Sequence, residues 1–211
     1  MTKTLIDLSH LFTADMPVYP GDPCVEFYQS CTIEKDGFND HTITTVMHVG
    51  THIDAPLHMI EGGAKIGDIA LDRCHGRGVL IDARGHNIID VGLLDGVTLQ
   101  KGDIVLLFTG WGAKYREPDY FKTWPVPSEA FAMACVAAQV NMVGMDVPGP
   151  DLDAPFPIHK ILLGGDVLIA ENLTNLGQLL GQDNIHIHAY PVKYDADAAP
   201  MRLVAEIQTG P

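Results

Sequence analysis

Basic residues are scarce in this chain. Its 211 residues include 13 lysines and arginines against 27 aspartates and glutamates, which gives a formal charge of −14. A protein that binds nucleic acid through the phosphate backbone needs clustered lysine and arginine, and no such cluster is present. We therefore expect no nucleic-acid partner.

Long hydrophobic runs are also missing. The apolar stretch at residues 130–138 is far shorter than the roughly 20 residues that a membrane-spanning helix needs. The first residues, Met-Thr-Lys-Thr-Leu-Ile-Asp, contain no apolar segment of signal-peptide length. We expect a cytoplasmic protein that makes no membrane contact.

Cysteines are few, and their spacing matches no paired motif. Cys24, Cys31, Cys74 and Cys135 form no CxxC motif, so the sequence lacks the framework of a disulfide-rich or zinc-finger domain. We expect reduced and mostly buried thiols without a role in catalysis.

The remaining composition is that of an ordinary folded domain. With 46% hydrophobic and 19% charged residues, the chain is long enough for one well-buried domain and short for two. We therefore predict a single domain over residues 1–211.

Strand patterns outnumber helix patterns along the chain. The continuously apolar run Asp103–Thr109 predicts a central strand that is buried on both faces. The alanine-rich segment Pro127–Val140 predicts the main helix, and Pro157–Leu163, with Gly164 beyond it, predicts a short one. The other predicted strands are Leu5–Leu8, Val25–Ile33, Ile43–Met47, Gly78–Asp82, Met142–Val147, Val167–Glu171, Ile185–Val192 and Leu203–Ile207. The fold class predicted from this order is α/β, with a mixed, β-rich core and few helices.

The most informative segment runs from His48 to His58. Within these eleven positions lie His48, His52, Asp54 and His58, the imidazole and carboxylate donors that zinc or manganese take. Neither a straight helix nor a flat strand brings the first three together, but a bend at Gly50 does. The segment therefore predicts a metal site, against the simpler alternative of scattered polar residues on a surface loop.

A second pair of polar residues lies in apolar surroundings. His159 falls in the short predicted helix, and Glu171 ends the apolar run Val-Leu-Ile-Ala. A buried carboxylate needs a partner, and either a bound cation or a His159–Glu171 hydrogen bond would supply it. Sequence spacing leaves these two alternatives open.

Three further positions are assigned from their local context. Tyr19 lies in a rigid loop that contains three prolines and a glycine, and we predict that it lines the substrate pocket. His186 and His188 alternate with isoleucines, which predicts a solvent-facing strand edge and no metal ligation.

The segment His48-Val-Gly-Thr-His52-Ile-Asp54-Ala-Pro56-Leu-His58, together with Met16-Pro-Val-Tyr-Pro-Gly-Asp-Pro23, closely resembles the cyclase family of metal-dependent hydrolases. This family includes bacterial kynurenine formamidase and isatin hydrolase. The similarity continues through Val143–Asp146, His159–Leu163 and Ile169–Asn175, so that it covers essentially the whole chain.

The resemblance implies a swivelling β/β/α fold and a homodimer or larger homo-oligomer. It also implies a metal centre in which His48, His52 and Asp54 hold one ion while Asp54, His159 and Glu171 hold a second. His58 is implied to be the catalytic acid and base. The expected cofactor is Zn²⁺, one or two ions per chain, with Mn²⁺ as the alternative.

These expectations define a function. We expect a metal-dependent hydrolase that cleaves a linear C–N amide bond in a small molecule, most simply an aryl formamide, by means of metal-activated water. One alternative is an isatin-type hydrolase that opens a cyclic amide or lactone with a single manganese ion. Another is a non-catalytic metal-binding module, in which protein ligands would close the coordination sphere.

Overall fold

The computed structural model describes residues 2–209. This part of the chain contains twelve strands, three helices and several single-turn 3-10 segments. The strands are β1 Thr2–Asp7, β2 Glu26–Cys31, β3 Asp40–Thr44, β4 His52–Asp54, β5 His75–Asp82, β6 Ile88–Ile89, β7 Ile104–Phe108, β8 Val126–Pro127, β9 Met142–Met145, β10 Leu168–Glu171, β11 Ile185–Pro191 and β12 Ala198–Thr209. The helices are α1 Ile33–Asp36, α2 Glu129–Ala137 and α3 Pro157–Gly164.

One mixed sheet forms the centre of the fold. Its strand order is β1-β12-β11-β5-β7-β9-β10-β4, and β12 also pairs with β4, which closes the sheet into a barrel-like core. The strands β5, β7, β9 and β10 are parallel, whereas the remaining pairings in this sheet are antiparallel. The predicted α/β class with a β-rich core and few helices is confirmed.

The parallel strands are buried on both faces because side chains alternate along a strand. In β7, Ile104 and Leu106 pack into one apolar cluster with residues of β11 and β12. Val105 and Leu107 pack into a second cluster with residues of α2 and α3. The prediction of a central strand at Asp103–Thr109 is therefore confirmed.

Helix α2 is shorter than the alanine-rich pattern predicts. Ser128 caps its first turn, since the Ser128 hydroxyl accepts a hydrogen bond from the backbone N–H of Phe131. The helix ends at Ala137, and Gln139 takes a positive φ of 55°. The prediction that the helix continues to Val140 is wrong because the chain must turn there to enter β9.

Helix α3 matches its prediction closely. It begins at Pro157, where the missing N–H costs no helical hydrogen bond, and ends at Gly164. Among the described residues, no helix is long and apolar enough to cross a membrane.

Other predictions need correction. The strand predicted at Ile43–Met47 ends at Thr44, after which the chain bends toward β4. His186 and His188 lie on the more exposed face of β11, but this strand is internal to the sheet, between β12 and β5, so the predicted strand edge is wrong.

The cysteines follow their prediction only in part. Cys74 and Cys135 are buried, whereas Cys24 is exposed and Cys31 is partly exposed. All four are free thiols.

The single-domain assignment over residues 1–211 stays a prediction.

Substitution of a side chain in the central strand should test how much the barrel core contributes. Leu106 is fully buried, so Leu106→Ala leaves a cavity and should lower the free energy of unfolding by about 2–5 kcal/mol. Leu71 is 69% exposed, and Leu71→Ala should change it by less than about 0.5 kcal/mol. Urea unfolding followed by circular dichroism measures both, and equal losses would contradict the assignment of Leu106 to the core.

Candidate functional site

A cavity of about 290 Å³ lies beside the ends of β4 and β10. Aromatic side chains form much of its wall, and histidines and carboxylates form its floor. The aromatic lining residues are Tyr19, Phe121, Trp124 and Phe156, and the polar ones include His48, His58, Asp151, His159 and Glu171. The volume is near the lower end of small-molecule pockets, which span about 300–1,000 Å³.

The bend at Gly50 brings the first histidines together. Gly50 has a φ of +65°, a conformation that glycine adopts without the steric cost of a Cβ atom. As a result, the His48 and His52 ring centroids lie 5.1 Å apart. The predicted role of Gly50 in the geometry of the segment is confirmed.

Strand pairing places the next two residues. β4 pairs with β10 in antiparallel register, and His52 lies directly opposite Glu171. Directly opposed residues share one face of a sheet, so both side chains point to the same side. The distance from His52 Nε2 to Glu171 Oε2 is 3.3 Å.

Asp54 lies at the centre of the arrangement and is fully buried. Its Oδ1 atom is 2.9 Å from His48 Nδ1 and 3.4 Å from His52 Nε2. Neither carboxylate oxygen of Asp54, nor His52 Nε2, has a hydrogen-bond partner within residues 2–209. Buried charged groups without such partners are costly, and a bound cation is what this donor set would accommodate.

His159 comes to the same place from α3. Its Nε2 atom is 3.3 Å from Glu171 Oε1, so Glu171 lies between His52 and His159. On the other side of the ring, His159 Nδ1 is 2.8 Å from Asp151 Oδ2.

Each histidine has one ring nitrogen engaged by an acceptor. His52 Nδ1 donates to the carbonyl oxygen of Gly50 at 2.9 Å, and His159 Nδ1 donates to Asp151. His48 Nε2 and His58 Nδ1 both donate to Asp197 Oδ2, at 2.8 and 3.2 Å. The ring nitrogens that these acceptors do not hold are His48 Nδ1, His52 Nε2, His58 Nε2 and His159 Nε2.

Charge pairing outweighs burial at the centre of the site. Burial alone would lower the pKa of His52, but the carboxylates of Asp54 and Glu171 raise it well above its ordinary value. Burial alone would raise the pKa of Asp54, but His52 and His48 hold it well below its ordinary value. The centre therefore favours ionised carboxylates.

His58 behaves differently from the other site histidines. Burial, which the carboxylate of Asp54 only partly opposes, lowers the pKa of His58 below its usual value. By contrast, hydrogen bonds to Asp151 and Glu171 outweigh burial and raise the pKa of His159 to about 9. A neutral imidazole at His58 is suited to accept a proton near neutral pH.

The structure brings all six predicted site histidines and carboxylates together. Two triads have donor atoms close enough to hold a metal ion, and Asp54 belongs to both. They are His48, Asp54 and His58, and His52, Asp54 and Glu171. This grouping differs from the one implied by the resemblance, because His58 joins the first triad and His52 lies beside Glu171.

The remaining predictions are outside this cluster. Tyr19 lines the cavity, and its ring packs edge-on against Phe121, with the centroids 5.8 Å apart. Trp124 also lines the cavity and donates from Nε1 to the carbonyl oxygen of Gly149 at 2.7 Å.

Two residues of the site escape the sequence prediction. Asp151 fixes His159, and Asp197 fixes both His48 and His58. Asp151 lies within the Pro-Gly-Pro-Asp loop, and Asp197 immediately precedes β12, but neither position has a metal-ligand spacing. The sequence pattern therefore gives no signal for either residue.

Comparison with known proteins matches the whole chain to one group. The family model "Putative cyclase" matches residues 6–152. A kynurenine formamidase from Salinibacter ruber is 31% identical, over 95% of this chain and 96% of that protein. A kynurenine formamidase from Bacillus cytotoxicus is 29% identical, over 94% and 95%. Isatin hydrolase A from Ralstonia solanacearum has the same fold, with a TM-score of 0.88 and 20% identity over 98% of this chain and 92% of that one.

A methyl group added at Gly149 should disturb the Glu171 side of the site. The Cβ atom of Gly149→Ala would lie 2.9 Å from Glu171 Oε1 and 3.5 Å from His159 Cε1. Because Glu171 is buried and has little room to move, we expect zinc affinity to fall by about 10–100-fold, the loss that is typical when the surroundings of a metal ligand are altered. Competition with a chromophoric chelator measures the affinity.

Gly164→Ala is the matched control for this substitution. It lies at the end of α3, where the new Cβ atom meets only Ile60 Cδ1 at 3.5 Å, an ordinary contact. Zinc affinity should stay at the wild-type value in this variant. Equal affinities in both variants would contradict a role for Glu171 in holding the metal.

Proposed function

This chain belongs to the cyclase family of metal-dependent hydrolases, and on that premise we propose that it hydrolyses the C–N bond of small aryl formamides. The observation that carries the proposal is the buried carboxylate of Asp54, whose two oxygens lack hydrogen-bond partners in the described chain, beside a cavity with aromatic walls. The formamide substrate is suggested by the kynurenine formamidases that the chain resembles.

The residues proposed to hold the metal are His48, His52, Asp54, His159 and Glu171. Their imidazole nitrogens and carboxylate oxygens suit Zn²⁺, one or two ions per chain, and Mn²⁺ is the alternative. Such an ion, when bound, polarises a carbonyl group and lowers the pKa of water toward about 7.

The aromatic wall would bind the substrate ring. Phe121 and Trp124 offer apolar faces, and the Trp124 indole is fixed by its hydrogen bond to Gly149. A cavity of about 290 Å³ suits one ring with a short substituent. Ring binding in this pocket would point the formyl group toward the histidines and hold the reacting atoms in a fixed orientation.

His58 would move the protons. Its Nδ1 atom donates to Asp197, so Nε2 has the free lone pair. As the oxygen of water adds to the formyl carbon, His58 Nε2 accepts a proton from that oxygen. His58 then returns the proton to the amide nitrogen as the C–N bond breaks, which yields an arylamine and formic acid, and the acid releases its proton to solvent as formate.

A substrate panel tests this function directly. Protein loaded with Zn²⁺ or Mn²⁺ is assayed with formanilide, N-formylkynurenine and isatin, and Asp95→Asn, a change at an exposed position, serves as the protein control. Turnover of the formamides supports the proposal. Turnover of isatin alone supports the cyclic-amide alternative, and no turnover of any of the three contradicts both.

Substitution of His58 should separate proton transfer from metal binding. His58→Ala should retain nearly all bound metal while kcat falls by about 10²–10⁴-fold, since a general acid and base contributes that much. Asp54→Asn is the comparison variant, and it should lose both metal and turnover because Asp54 belongs to both triads. Elemental analysis and formanilide kinetics measure the two quantities.

The opposite result has a clear meaning. If His58→Ala loses as much metal as Asp54→Asn does, His58 is a ligand within the triad that it shares with His48 and Asp54.

A homodimer or larger homo-oligomer remains our prediction for the assembly.

A further inference from the structure

The charged residues that line the cavity are unevenly distributed. No lysine or arginine is among the described lining residues, whereas three carboxylates are. Asp151 and Glu171 both pair with His159, which leaves Asp22 as the lining carboxylate outside the metal-ligand cluster. In the part of the cavity away from the histidines, the side-chain charge that faces a substrate is therefore negative.

Asp22 is held in place by a tight turn. Its backbone N–H donates to the carbonyl oxygen of Tyr19 at 3.0 Å, which closes a four-residue turn. Pro20 occupies the second position and Gly21, with a φ of +104°, the third, which is the pattern of a type II turn. The two end residues of this turn, Tyr19 and Asp22, both line the cavity.

The aromatic contact of Tyr19 anchors the same turn. Its ring lies edge-on to Phe121, with the centroids 5.8 Å apart. Proline and glycine restrict the backbone of the turn on one side and this contact restricts it on the other, so the backbone that carries Asp22 has a defined place on the wall. A carboxylate on a restricted backbone has less freedom to move away from a repelled group than one on a flexible loop, which improves its discrimination between ligands.

We propose that Asp22 selects substrates by charge, so that the site accepts aryl amides with a neutral or cationic distal group and discriminates against those with an anionic one. This inference rests on the proposed function, since it takes the aryl amide as the substrate. The chain's formal charge of −14 adds to the unfavourable potential that an anion meets. Unit charges about 6 Å apart near a protein surface should change relative rates by about 3–100-fold.

A series of para-substituted formanilides tests the proposal, because all members have the same scissile bond. The compounds are formanilide, the anion 4-formamidobenzoate and the cation 4-(aminomethyl)formanilide, assayed with the metal-loaded enzyme. For the wild type, kcat/KM should be lowest for the anion. Asp22→Asn should raise the ratio of kcat/KM for the anion to that for formanilide by about 3–100-fold, and should lower the corresponding ratio for the cation.

Three controls sharpen this test. Asp22→Glu retains the charge and should retain the wild-type order of substrates. Asp95→Asn removes a negative charge from an exposed position outside the cavity lining, so it should leave both ratios unchanged. Raising the salt concentration should narrow the wild-type difference between anion and cation, because partly exposed charges are screened.

Binding gives an independent measure when turnover is absent. Trp124 lines the cavity, so quenching of tryptophan fluorescence reports the affinity of each compound for the metal-loaded protein. If Asp22→Asn has the same anion-to-formanilide and cation-to-formanilide ratios as the wild type, in kinetics or in binding, the proposal of charge selection is overturned. Absence of turnover with charge-ordered binding would instead overturn the proposed reaction and leave the role of Asp22 supported.

Discussion

The buried carboxylate of Asp54 is the constraint on which the site depends. An ionised carboxylate without hydrogen-bond partners is among the most costly groups to bury, and in the described chain the groups that lie against Asp54 are the imidazoles of His48 and His52. His48 and His52 lie within 3.4 Å of the same oxygen. The histidines and Glu171 lie beside Asp54 as the set of donors that we propose holds a cation, and such a cation would offset the cost of burying them.

Closure of the sheet delivers these donors to one place. β4 is three residues long, yet it pairs with β10 on one side and with the start of β12 on the other. The first pairing sets His52 opposite Glu171, and the second sets Asp54 opposite Ala198, immediately after Asp197. The apolar packing on both faces of the parallel strands gives the barrel the stability that offsets a polar centre of this kind.

The sequence predicts the local parts of this site better than the distant ones. The spacing of His48, His52 and Asp54 and the freedom of Gly50 are properties of one short segment, so the bend could be inferred. The pairing of β4 could not be inferred in this way. The segment His52–Asp54 is too short to show a strand pattern, and it is a strand only because it pairs with the distant strands β10 and β12. Asp197 was missed for the same reason, since it lies 149 residues from His48 along the chain. Asp151 is only 8 residues before His159, but the loop between them has no spacing that indicates their contact.

The shared acceptor Asp197 links metal binding to proton transfer. One of its oxygens accepts from His48 Nε2 and from His58 Nδ1, so the same atom orients a proposed ligand and the proposed acid and base. A shift of His48 toward a bound cation would move the carboxylate, and with it the hydrogen bond that fixes His58. Because the backbone carbonyl of Asp197 also accepts from Ala55 N–H beside Asp54, the connection extends into the metal-ligand segment itself. The proposed proton carrier, His58, is therefore positioned by contacts that it shares with the proposed metal ligand His48, and we expect its orientation to depend on the integrity of that ligand set.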